Sequence, residues 1–261
     1  MHMNNINKTL YIPLYGKSYV SKRGIILKDQ KAEEIWAAEG FKLKGKPAAK
    51  WLAFYMGMRA AAFDRWLSGK LEECLDAVVL HLGCGMDSRI TRVGNDGHLW
   101  YDIDFPAVIG ERKKYYQETD CYQMLAADVT EQDSLQSVCG ETAIVVMEGI
   151  SMYLKRDELT QLLTRLAEQF DSVHLLMDCY TEFAAKASKV KNPINDVGVT
   201  EVYGLDDPKL IETEEIRFQQ EMDMTPADLI DDQSGMEKTV FRKLNAGSIA
   251  RKMYRMYEFR K

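Results

Sequence analysis

One short apolar segment of the chain ends at a pair of glycines. Residues 78–82 are followed directly by Gly83 and Gly85, and about twenty residues later a second apolar segment ends at the acidic residue Asp104. In nucleotide-binding α/β proteins, such glycines let the backbone approach a ligand, and the acid accepts hydrogen bonds from ribose hydroxyls. The pattern therefore predicts an α/β sheet with a site for a cofactor that contains adenosine.

The glycine loop also indicates the class of cofactor. A dinucleotide site has a small residue three positions after its second glycine, and Ser88 at that position would fit. The neighbouring Asp87, however, places an anion where phosphates would bind. S-adenosylmethionine has no phosphate, so it suits this loop better than NAD does. A strand followed by a G-x-G turn also occurs without any ligand, so this loop alone does not establish a function.

Length and charge exclude several classes of protein. The chain has 261 residues, which suits one α/β domain, and we expect a single domain over residues 1–261. Its formal net charge of −6 argues against a nucleic-acid-binding surface as its main function. We therefore expect a small-molecule partner and no nucleic acid. The sequence leaves the oligomeric state open.

Cysteine usage and hydropathy indicate the cellular compartment. The five cysteines form no C-x-x-C pair and are odd in number, so neither a zinc site nor a disulfide framework is indicated. We expect reduced cysteines in a cytoplasmic protein that binds no metal. No apolar segment is long enough to cross a bilayer, and the polar N-terminus has no apolar signal core. The sequence predicts neither a membrane partner nor export.

Hydrophobic periodicity predicts the order of helices and strands. Residues 47–68 have apolar side chains at helical spacing, and with residues 29–38 they indicate a helical N-terminal extension over residues 1–70. The further segments are predicted strands at 78–82, 98–104, 121–127, 142–147 and 172–180, and predicted helices at 106–118, 131–137 and 155–170. This alternation indicates a mostly parallel sheet with helices on both faces and a ligand at the carboxyl ends of its strands.

The second half of the chain departs from this alternation. Residues 181–210 are rich in turn formers and are a candidate lid or substrate insertion. Residues 216–218 and 253–259 are strand-like, and they flank a predicted helix at 235–248. A late antiparallel hairpin on a parallel sheet fits a methyltransferase topology better than a dehydrogenase topology.

Five segments occur together in an order that is more specific than any one of them. They span residues 10–17, 59–64, 83–89, 102–106 and 147–154. This set resembles the leucine carboxyl methyltransferase family and, within it, the bacterial branch of polyketide-synthesis O-methyltransferases. The resemblance runs from about residue 9 to residue 170. It implies a class I S-adenosylmethionine-dependent methyltransferase with a Rossmann-like, mostly parallel sheet.

The resemblance assigns the amino-acid end of the cofactor to three charged residues. It implies that Arg59 binds the methionine carboxylate, with Lys17 as a second cation, and that Glu148 binds the methionine amino group. The chemistry of these side chains agrees with this assignment. A guanidinium matches a carboxylate with two parallel hydrogen bonds, and a carboxylate matches an ammonium. Together they would pair both charges of a zwitterion.

The same resemblance assigns the rest of the cofactor site to uncharged and acidic positions. It implies that Gly83 and Gly85 form the cofactor loop and that Asp104 binds the ribose. Asp128 and Val129 would lie near the adenine. These five residues complete the predicted cofactor site.

Two acidic residues near these positions have open alternatives. Asp102 and Asp104 share one face of a predicted strand, and the one nearer the strand end is better placed for ribose. We therefore favour Asp104. Asp64 lies one helical turn after Arg59 and would pair with a neighbouring cation without contacting a ligand.

The acceptor side has no residue that fixes its chemistry, and the catalytic residue is unknown. Tyr153 and Ser151 are candidates because they follow Glu148 closely. The alternative is that Tyr153 packs in the core and Ser151 begins a helix. His81 and His174 lie within apolar strands, where a histidine is more often a core residue than a general base.

The sequence thus predicts an S-adenosylmethionine-dependent O-methyltransferase that acts on a small molecule and releases S-adenosylhomocysteine. A carboxylate acceptor, which the family resemblance implies, is ionised at neutral pH and needs no general base. One alternative is a regulatory protein that binds S-adenosylmethionine without turnover. Another is a methyltransferase that acts on a protein C-terminus. A nicotinamide-dependent oxidoreductase is disfavoured by the glycine loop and the late hairpin.

Overall fold

Three helices precede the first strand in the part of the chain that the structure describes. The computed structural model describes residues 10–39, 49–191 and 201–261. The helices are α1 (Tyr11–Lys22), α2 (Gln30–Glu39) and α3 (Lys50–Glu73). The helices predicted at 29–38 and 47–68 are confirmed as α2 and α3, although α3 continues to Glu73 and residues 47–48 lie outside the described residues.

Helix α1 has no counterpart among the individual helices predicted from periodicity. Its sequence contains Pro13 and Gly16, two residues that usually indicate the end of a helix. Pro13 lies in the first turn, where its missing N–H group would have no helical partner in any case. Gly16 lies where α1 packs closely on α3, because a Cβ atom there would be 2.6 Å from the Cβ of Met56. Both residues are therefore compatible with this helix.

The strands found within the described residues form one sheet. They are β1 (Val78–Leu82), β2 (Trp100–Asp104), β3 (Tyr122–Ala126), β4 (Thr142–Met147), β5 (Ser172–Tyr180), β6 (Arg217–Met222) and β7 (Tyr254–Arg260). Their order across the sheet is β3-β2-β1-β4-β5-β7-β6. The first five strands are parallel, and β7 runs antiparallel to both β5 and β6. The predicted mostly parallel sheet with a late antiparallel pair is confirmed.

The remaining helices connect these strands or follow them. They are α4 (Arg89–Val93), α5 (Pro106–Arg112), α6 (Arg156–Gln169), α7 (Glu182–Lys191), α8 (Ala227–Asp231) and α9 (Gly235–Leu244). The predicted helices at 106–118 and 235–248 are present but shorter, as α5 and α9. The helix predicted at 131–137 is wrong. Its backbone forms separate turns, with N–H groups bonded three residues back, as from Gln136 to Asp133.

Alternate residues of the central strands face two apolar layers. Val79 and Ile144 belong to the layer that contains α1 and α3, whereas Leu80 and Val145 belong to the layer that contains α6. Strands buried on both faces are nearly continuous apolar segments, which explains why their positions were predicted well. Within the described residues, no helix is long and apolar enough to cross a membrane.

The topology creates a crevice at the carboxyl ends of the strands. β1 lies between β2 and β4. The chain therefore continues from β1 to one side of the sheet and, after β3, crosses to the other side of β1. Ligands of open α/β sheets bind at such a point. The register places His81 beside Asp102 on one side and beside Val146 on the other. The loops after these strands therefore face one another across the crevice.

The segment at 181–210 is partly helical and partly tied to the sheet. It begins with α7, which the turn formers of this segment did not predict, and residues 192–200 lie outside the described part. Beyond them, Tyr203 donates its N–H to the Met152 carbonyl, and Leu205 donates to the Tyr180 carbonyl, each at 2.8 Å. These bonds attach the described end of the segment to β5 and to the turn after β4.

Gly204 allows this attachment, and we predict that replacing it will destabilise the fold. A Cβ atom at Gly204 would lie 2.5 Å from the Glu182 nitrogen and 2.5 Å from the Thr181 oxygen, which are backbone atoms that cannot rotate away. Gly204→Ala should lower the free energy of unfolding by about 1–3 kcal/mol in urea titrations.

Gly69→Ala is the matched control, because a Cβ atom at this position in α3 meets nothing within 4 Å. This change should raise the free energy of unfolding by about 0.5–1 kcal/mol, as expected for glycine in a helix interior. Equal stability of Gly204→Ala and wild type would contradict the packing described here.

Candidate active site

A cavity of about 710 Å³ opens at the carboxyl ends of β1, β2 and β4. It is lined by all the residues that were assigned to the cofactor: Lys17, Arg59, Gly83, Gly85, Asp104, Asp128, Val129 and Glu148. Tyr153 also lines this cavity, whereas Ser151 is not among the lining residues. The structure thus brings the eight positions together from α1, α3 and the ends of four strands.

The glycine loop has a backbone conformation that residues with side chains rarely adopt. Gly83 and Gly85 have φ angles of 65° and 52°, in the left-handed region that favours glycine. A Cβ atom at Gly83 would also lie 2.0 Å from Cγ2 of Ile150. The loop between β1 and α4 therefore needs glycine at Gly83 both for its conformation and for the close approach of the turn after β4.

Asp104 fixes this loop to the end of β2. Its Oδ2 accepts a hydrogen bond from the Gly85 N–H at 2.8 Å, and its Oδ1 accepts from the Phe105 N–H at 2.7 Å. Burial raises the pKa of the Asp104 carboxyl, against the effect of these two donors. A carboxylate has about four acceptor positions, so this one retains capacity for two further donors such as hydroxyls.

Asp102, the alternative to Asp104, is fully buried and belongs to the core. It accepts hydrogen bonds from Arg112, from the Tyr122 hydroxyl at 2.6 Å and from the Trp100 indole at 2.9 Å. Burial alone would raise the pKa of Asp102, but Arg112 and the donor from His81 outweigh burial and hold the pKa well below its ordinary value. Asp102 is therefore an ionised partner of Arg112.

His81 lines the cavity but is engaged at both ring nitrogens. Its Nδ1 lies 3.1 Å from Asp102 Oδ1, and its Nε2 lies 3.0 Å from Nη1 of Arg89. A guanidinium can only donate, so Nε2 is the acceptor and Nδ1 carries the proton. His81 is thus a neutral, fully hydrogen-bonded core residue, as is usual for a histidine within an apolar strand.

A cluster of nine charged side chains surrounds the cavity floor, and we call it the buried ion cluster. It consists of the cations Lys17, Arg59, Arg89 and Arg92 and the carboxylates Asp29, Asp64, Asp87, Glu148 and Asp178. Arg59 Nη2 lies 3.0 Å from Glu148, and Arg59 Nη1 lies 2.9 Å from Asp178. Lys17 lies 3.0 Å from Asp87. The two cations predicted to bind the cofactor carboxylate are therefore held by carboxylates of the protein.

Arg89 and Arg92 support the lining residues from behind. Arg89 binds Glu148 and, at 2.8 Å, Asp64. Arg92 binds Asp64 and Asp29, each at 2.6 Å. Asp64 thus pairs with neighbouring cations, which was the alternative given for it. Through these pairs the cluster joins α3, α4, the residue before α2 and the end of β4.

The cluster keeps Glu148 ionised. Burial would raise the pKa of the Glu148 carboxyl, but the guanidinium groups of Arg59 and Arg89 outweigh burial and lower it to about 2. Glu148 is therefore an anion at the cavity surface at neutral pH. An anion in this position can bind an ammonium group.

Four of the cluster members, Arg89, Arg92, Asp29 and Asp178, were not assigned a role from the sequence. A charged residue inside an otherwise apolar strand is a usable signal, and Asp178 in β5 shows it. Asp29 and Arg92 lie in segments without such a signal. Their roles depend on which charges the fold brings within hydrogen-bonding distance.

Part of the cavity wall is apolar and aromatic. The rings of Tyr180 and Tyr254 meet edge to face with centroids 4.6 Å apart, and Tyr254 also contacts Tyr55 at 5.4 Å. Tyr180 and Tyr254 both line the cavity, and so does Tyr153. Ser151 instead donates its hydroxyl to the Asp178 carbonyl and is buried. Ser151 begins the short 3₁₀-helix Ser151–Tyr153, and its hydroxyl joins that helix to β5, while Tyr153 lines the cavity.

We predict that Asp102→Asn will destabilise the protein in a manner that depends on pH. At pH 7 the change leaves Arg112 buried without its anion, so the free energy of unfolding should fall by about 3–5 kcal/mol. Because the folded-state pKa of Asp102 is lowered, its stabilisation is complete above the ordinary value of 3.8 and is lost as the pH falls through the folded-state pKa. The difference in the free energy of unfolding between wild type and Asp102→Asn should therefore become smaller as the pH falls below 3.8.

Urea titrations at pH 7 and below pH 4 measure this gap. Asp76→Asn is the control, since Asp76 is exposed, and it should change stability by less than about 0.5 kcal/mol. A gap that stays constant with pH would show that the pKa of Asp102 is not lowered by folding.

Comparison with known proteins supports an enzyme family. The family model for leucine carboxyl methyltransferase matches residues 7–167. The tetracenomycin polyketide synthesis O-methyltransferase TcmP of Streptomyces glaucescens is 29% identical over 245 residues, which are 92% of this chain and 91% of that protein. The S-adenosyl-L-methionine-dependent methyltransferase dpfgK of Gibberella zeae is 28% identical over 152 residues, 52% of this chain and 51% of that one.

Solved structures share the fold at low sequence identity. The magnesium protoporphyrin IX methyltransferase ChlM of Synechocystis, solved with bound S-adenosylhomocysteine, has a TM-score of 0.55 and 13% identity, covering 88% of this chain and 93% of that one. These likenesses confirm the class I methyltransferase fold, and the match of the family model to more than half of the chain confirms the family that the five motifs indicated. The chain belongs to the leucine carboxyl methyltransferase family.

Proposed function

We propose that the protein is an S-adenosylmethionine-dependent O-methyltransferase that methylates a small molecule and releases S-adenosylhomocysteine. The observation that carries this proposal is the arrangement of Arg59, Glu148 and Asp104 on one cavity. A guanidinium, an ionised glutamate and an aspartate with free acceptor capacity match a carboxylate, an ammonium and a ribose. The residues present therefore fit S-adenosylmethionine, the cofactor that the name of the relative dpfgK gives.

The charge of the buried ion cluster also fits this cofactor. Four cations face five carboxylates, so with all nine groups ionised the cluster has a surplus of one negative charge. S-adenosylmethionine carries a sulfonium and an ammonium against one carboxylate, which leaves one positive charge. Opposite net charges favour binding in a buried site, where charges are weakly screened.

The remaining cofactor residues have plausible chemical roles in this proposal. Asp128 Oδ1 accepts from the N–H of Thr130 at 2.9 Å and from its hydroxyl at 2.7 Å, which orients the carboxylate beside Val129. Both positions line the cavity next to the end of β3. They would flank the adenine, while the backbone of Gly83 and Gly85 would face the amino-acid end of the cofactor.

The acceptor would be a small molecule with an apolar, aromatic character. The cavity volume of about 710 Å³ lies in the range of small-molecule sites. Tyr153, Tyr180 and Tyr254 offer ring surfaces along the cavity wall. Among the relatives, TcmP is named for polyketide synthesis, which agrees with an acceptor of this kind. A methyltransferase for a protein C-terminus, the alternative, would need a broader groove.

Of the possible acceptor groups, a carboxylate would need the fewest catalytic residues in this site. S-adenosylmethionine supplies a methyl group on a positive sulfur, which becomes a neutral thioether on transfer. The protein's own residues then need only to align the acceptor oxygen with that methyl group and to exclude water. His81 is committed to Asp102 and Arg89, so it does not serve as a base. An acceptor that is already ionised fits this arrangement.

Residues 181–210 would cover the part of the cavity that binds the methyl acceptor. Ala184, Ala187 and Ser188 of α7 line the cavity, and so does Glu201 at the beginning of the next described residues. We propose that this segment is a lid or substrate insertion within a single domain. An ordered acceptor pocket lined by this segment is the feature that favours an enzyme over a regulatory protein without turnover.

The first test is thermal unfolding with S-adenosylhomocysteine, using NAD as the control ligand. At a hundred times the dissociation constant, a ligand that binds only the folded state stabilises it by about 2.7 kcal/mol. For a chain of this length the melting temperature should rise by several degrees, at roughly 2–4 °C per kcal/mol. A rise with NAD alone would overturn the proposal.

The same assay applied to variants tests the site. Glu148→Gln and Arg59→Ala should each weaken binding of S-adenosylhomocysteine by about 1.5–3 kcal/mol, the worth of a charge-assisted hydrogen bond. Glu72→Gln, at an exposed position of α3, is the control and should leave binding unchanged. Wild-type affinity in both site variants would rule out these roles.

The pH dependence of turnover distinguishes a carboxylate acceptor from a phenol. With a carboxylate, kcat/KM should stay level from about pH 6 to pH 9, because the nucleophile is ionised throughout. With a phenol, kcat/KM should rise with pH as the hydroxyl or its base loses a proton. A panel of aromatic acids and matched phenols, assayed for release of S-adenosylhomocysteine, provides the comparison.

A further inference from the structure

We propose that Asp178 is a positioning residue that aims Arg59 at the carboxylate of the cofactor, an inference that rests on the function proposed above. Asp178 lies in β5, is fully buried and is not among the residues that line the cavity. It therefore acts through Arg59 and has no contact with a ligand in the cavity. None of the five sequence motifs includes it.

Each oxygen of the Asp178 side chain has one donor. Its Oδ2 accepts from Nη1 of Arg59 at 2.9 Å, and its Oδ1 accepts from the backbone N–H of Gly149 at 2.6 Å. Its backbone carbonyl accepts from the Ser151 hydroxyl. One residue of β5 thus holds both the arginine of α3 and the turn that follows Glu148.

The two donors require both side-chain oxygens of Asp178 to act as acceptors, although burial raises the pKa of this carboxyl against the effect of Arg59. A guanidinium and a backbone N–H can only donate, so both side-chain oxygens must accept. An amide at this position would turn its NH₂ group toward one of the two donors. That donor would then be buried without a partner, which costs more than the loss of an exposed hydrogen bond.

Contacts on several sides of Arg59 fix the orientation of its guanidinium group. Its Nε donates to Glu148 at 3.1 Å, and its Nη1 donates to Asp178. Gly149, with a φ angle of 76°, approaches so closely that a Cβ atom there would lie 3.2 Å from both Nη atoms. Because each Nη atom has two N–H groups, donors remain on both for a carboxylate in the cavity. Their direction is set by the contacts with Asp178 and Gly149.

The test compares two ligands that differ in the group that Arg59 would bind. S-adenosylhomocysteine has the amino-acid end, and 5′-methylthioadenosine shares the adenosine and the thioether but lacks that end. In calorimetric titrations, Asp178→Asn should weaken S-adenosylhomocysteine binding by about tenfold or more. Binding of 5′-methylthioadenosine should stay within about twofold of wild type. A residue that only supports the fold would not separate the two ligands in this way.

A double-mutant cycle tests whether Asp178 acts through Arg59. In an Arg59→Met background, Asp178→Asn should cause no further loss of S-adenosylhomocysteine affinity, within about twofold. Asp171→Asn, at an exposed position just before β5, is the matched control and should leave both ligands unaffected. An independent loss in the Arg59→Met background would overturn the proposal.

Asp178→Glu covers the case in which the asparagine variant does not fold. It keeps the buried charge but moves the carboxylate by one methylene, so it should show the same selective loss of S-adenosylhomocysteine binding. If either variant binds the two ligands with the same ratio of affinities as wild type, the role proposed for Asp178 is wrong. If wild-type protein binds neither ligand, the proposed cofactor itself is wrong, so the two failures are distinguishable.

Discussion

The pairing of Arg59 with Glu148 and Asp178 is the interaction on which the site depends. Buried charges are costly unless each has a partner and a full set of hydrogen bonds. The structure meets this requirement by joining charges from α3, β4 and β5 into one cluster, to which Arg89 adds α4. The same contacts that make the burial tolerable therefore fix the relative positions of the elements around the cavity.

The fold was largely predictable because its central strands are buried on both faces. The bounds of β1, β4 and β5 match the predicted strands, since each is a largely apolar segment. Local patterns failed where tertiary packing decided the outcome. Gly16 in α1 is explained only by its approach to Met56, and residues 131–137 had a helical pattern too short to outweigh their turns.

The residues that line the cavity were predictable from the sequence, but the buried residues that hold them in place were not. Arg59, Asp104 and Glu148 lie within ordered motifs, so their convergence on one cavity follows from the order of the strands. Asp178 and Asp29 act through partners far away in the sequence, which no local spacing indicates. Asp104, which its position nearer the strand end favoured, lines the cavity, whereas Asp102, two residues earlier in β2, binds Arg112 in the core.

The position of β7 has a consequence for how the molecule is assembled. β7 lies between β5 and β6, so β6 has no neighbour in the sheet until the chain beyond it has been synthesised. Tyr254 at the beginning of β7 completes the aromatic side of the cavity, whereas the ion cluster comes from residues that precede β6. A nascent chain can therefore build the charged half of its site before the aromatic half is complete.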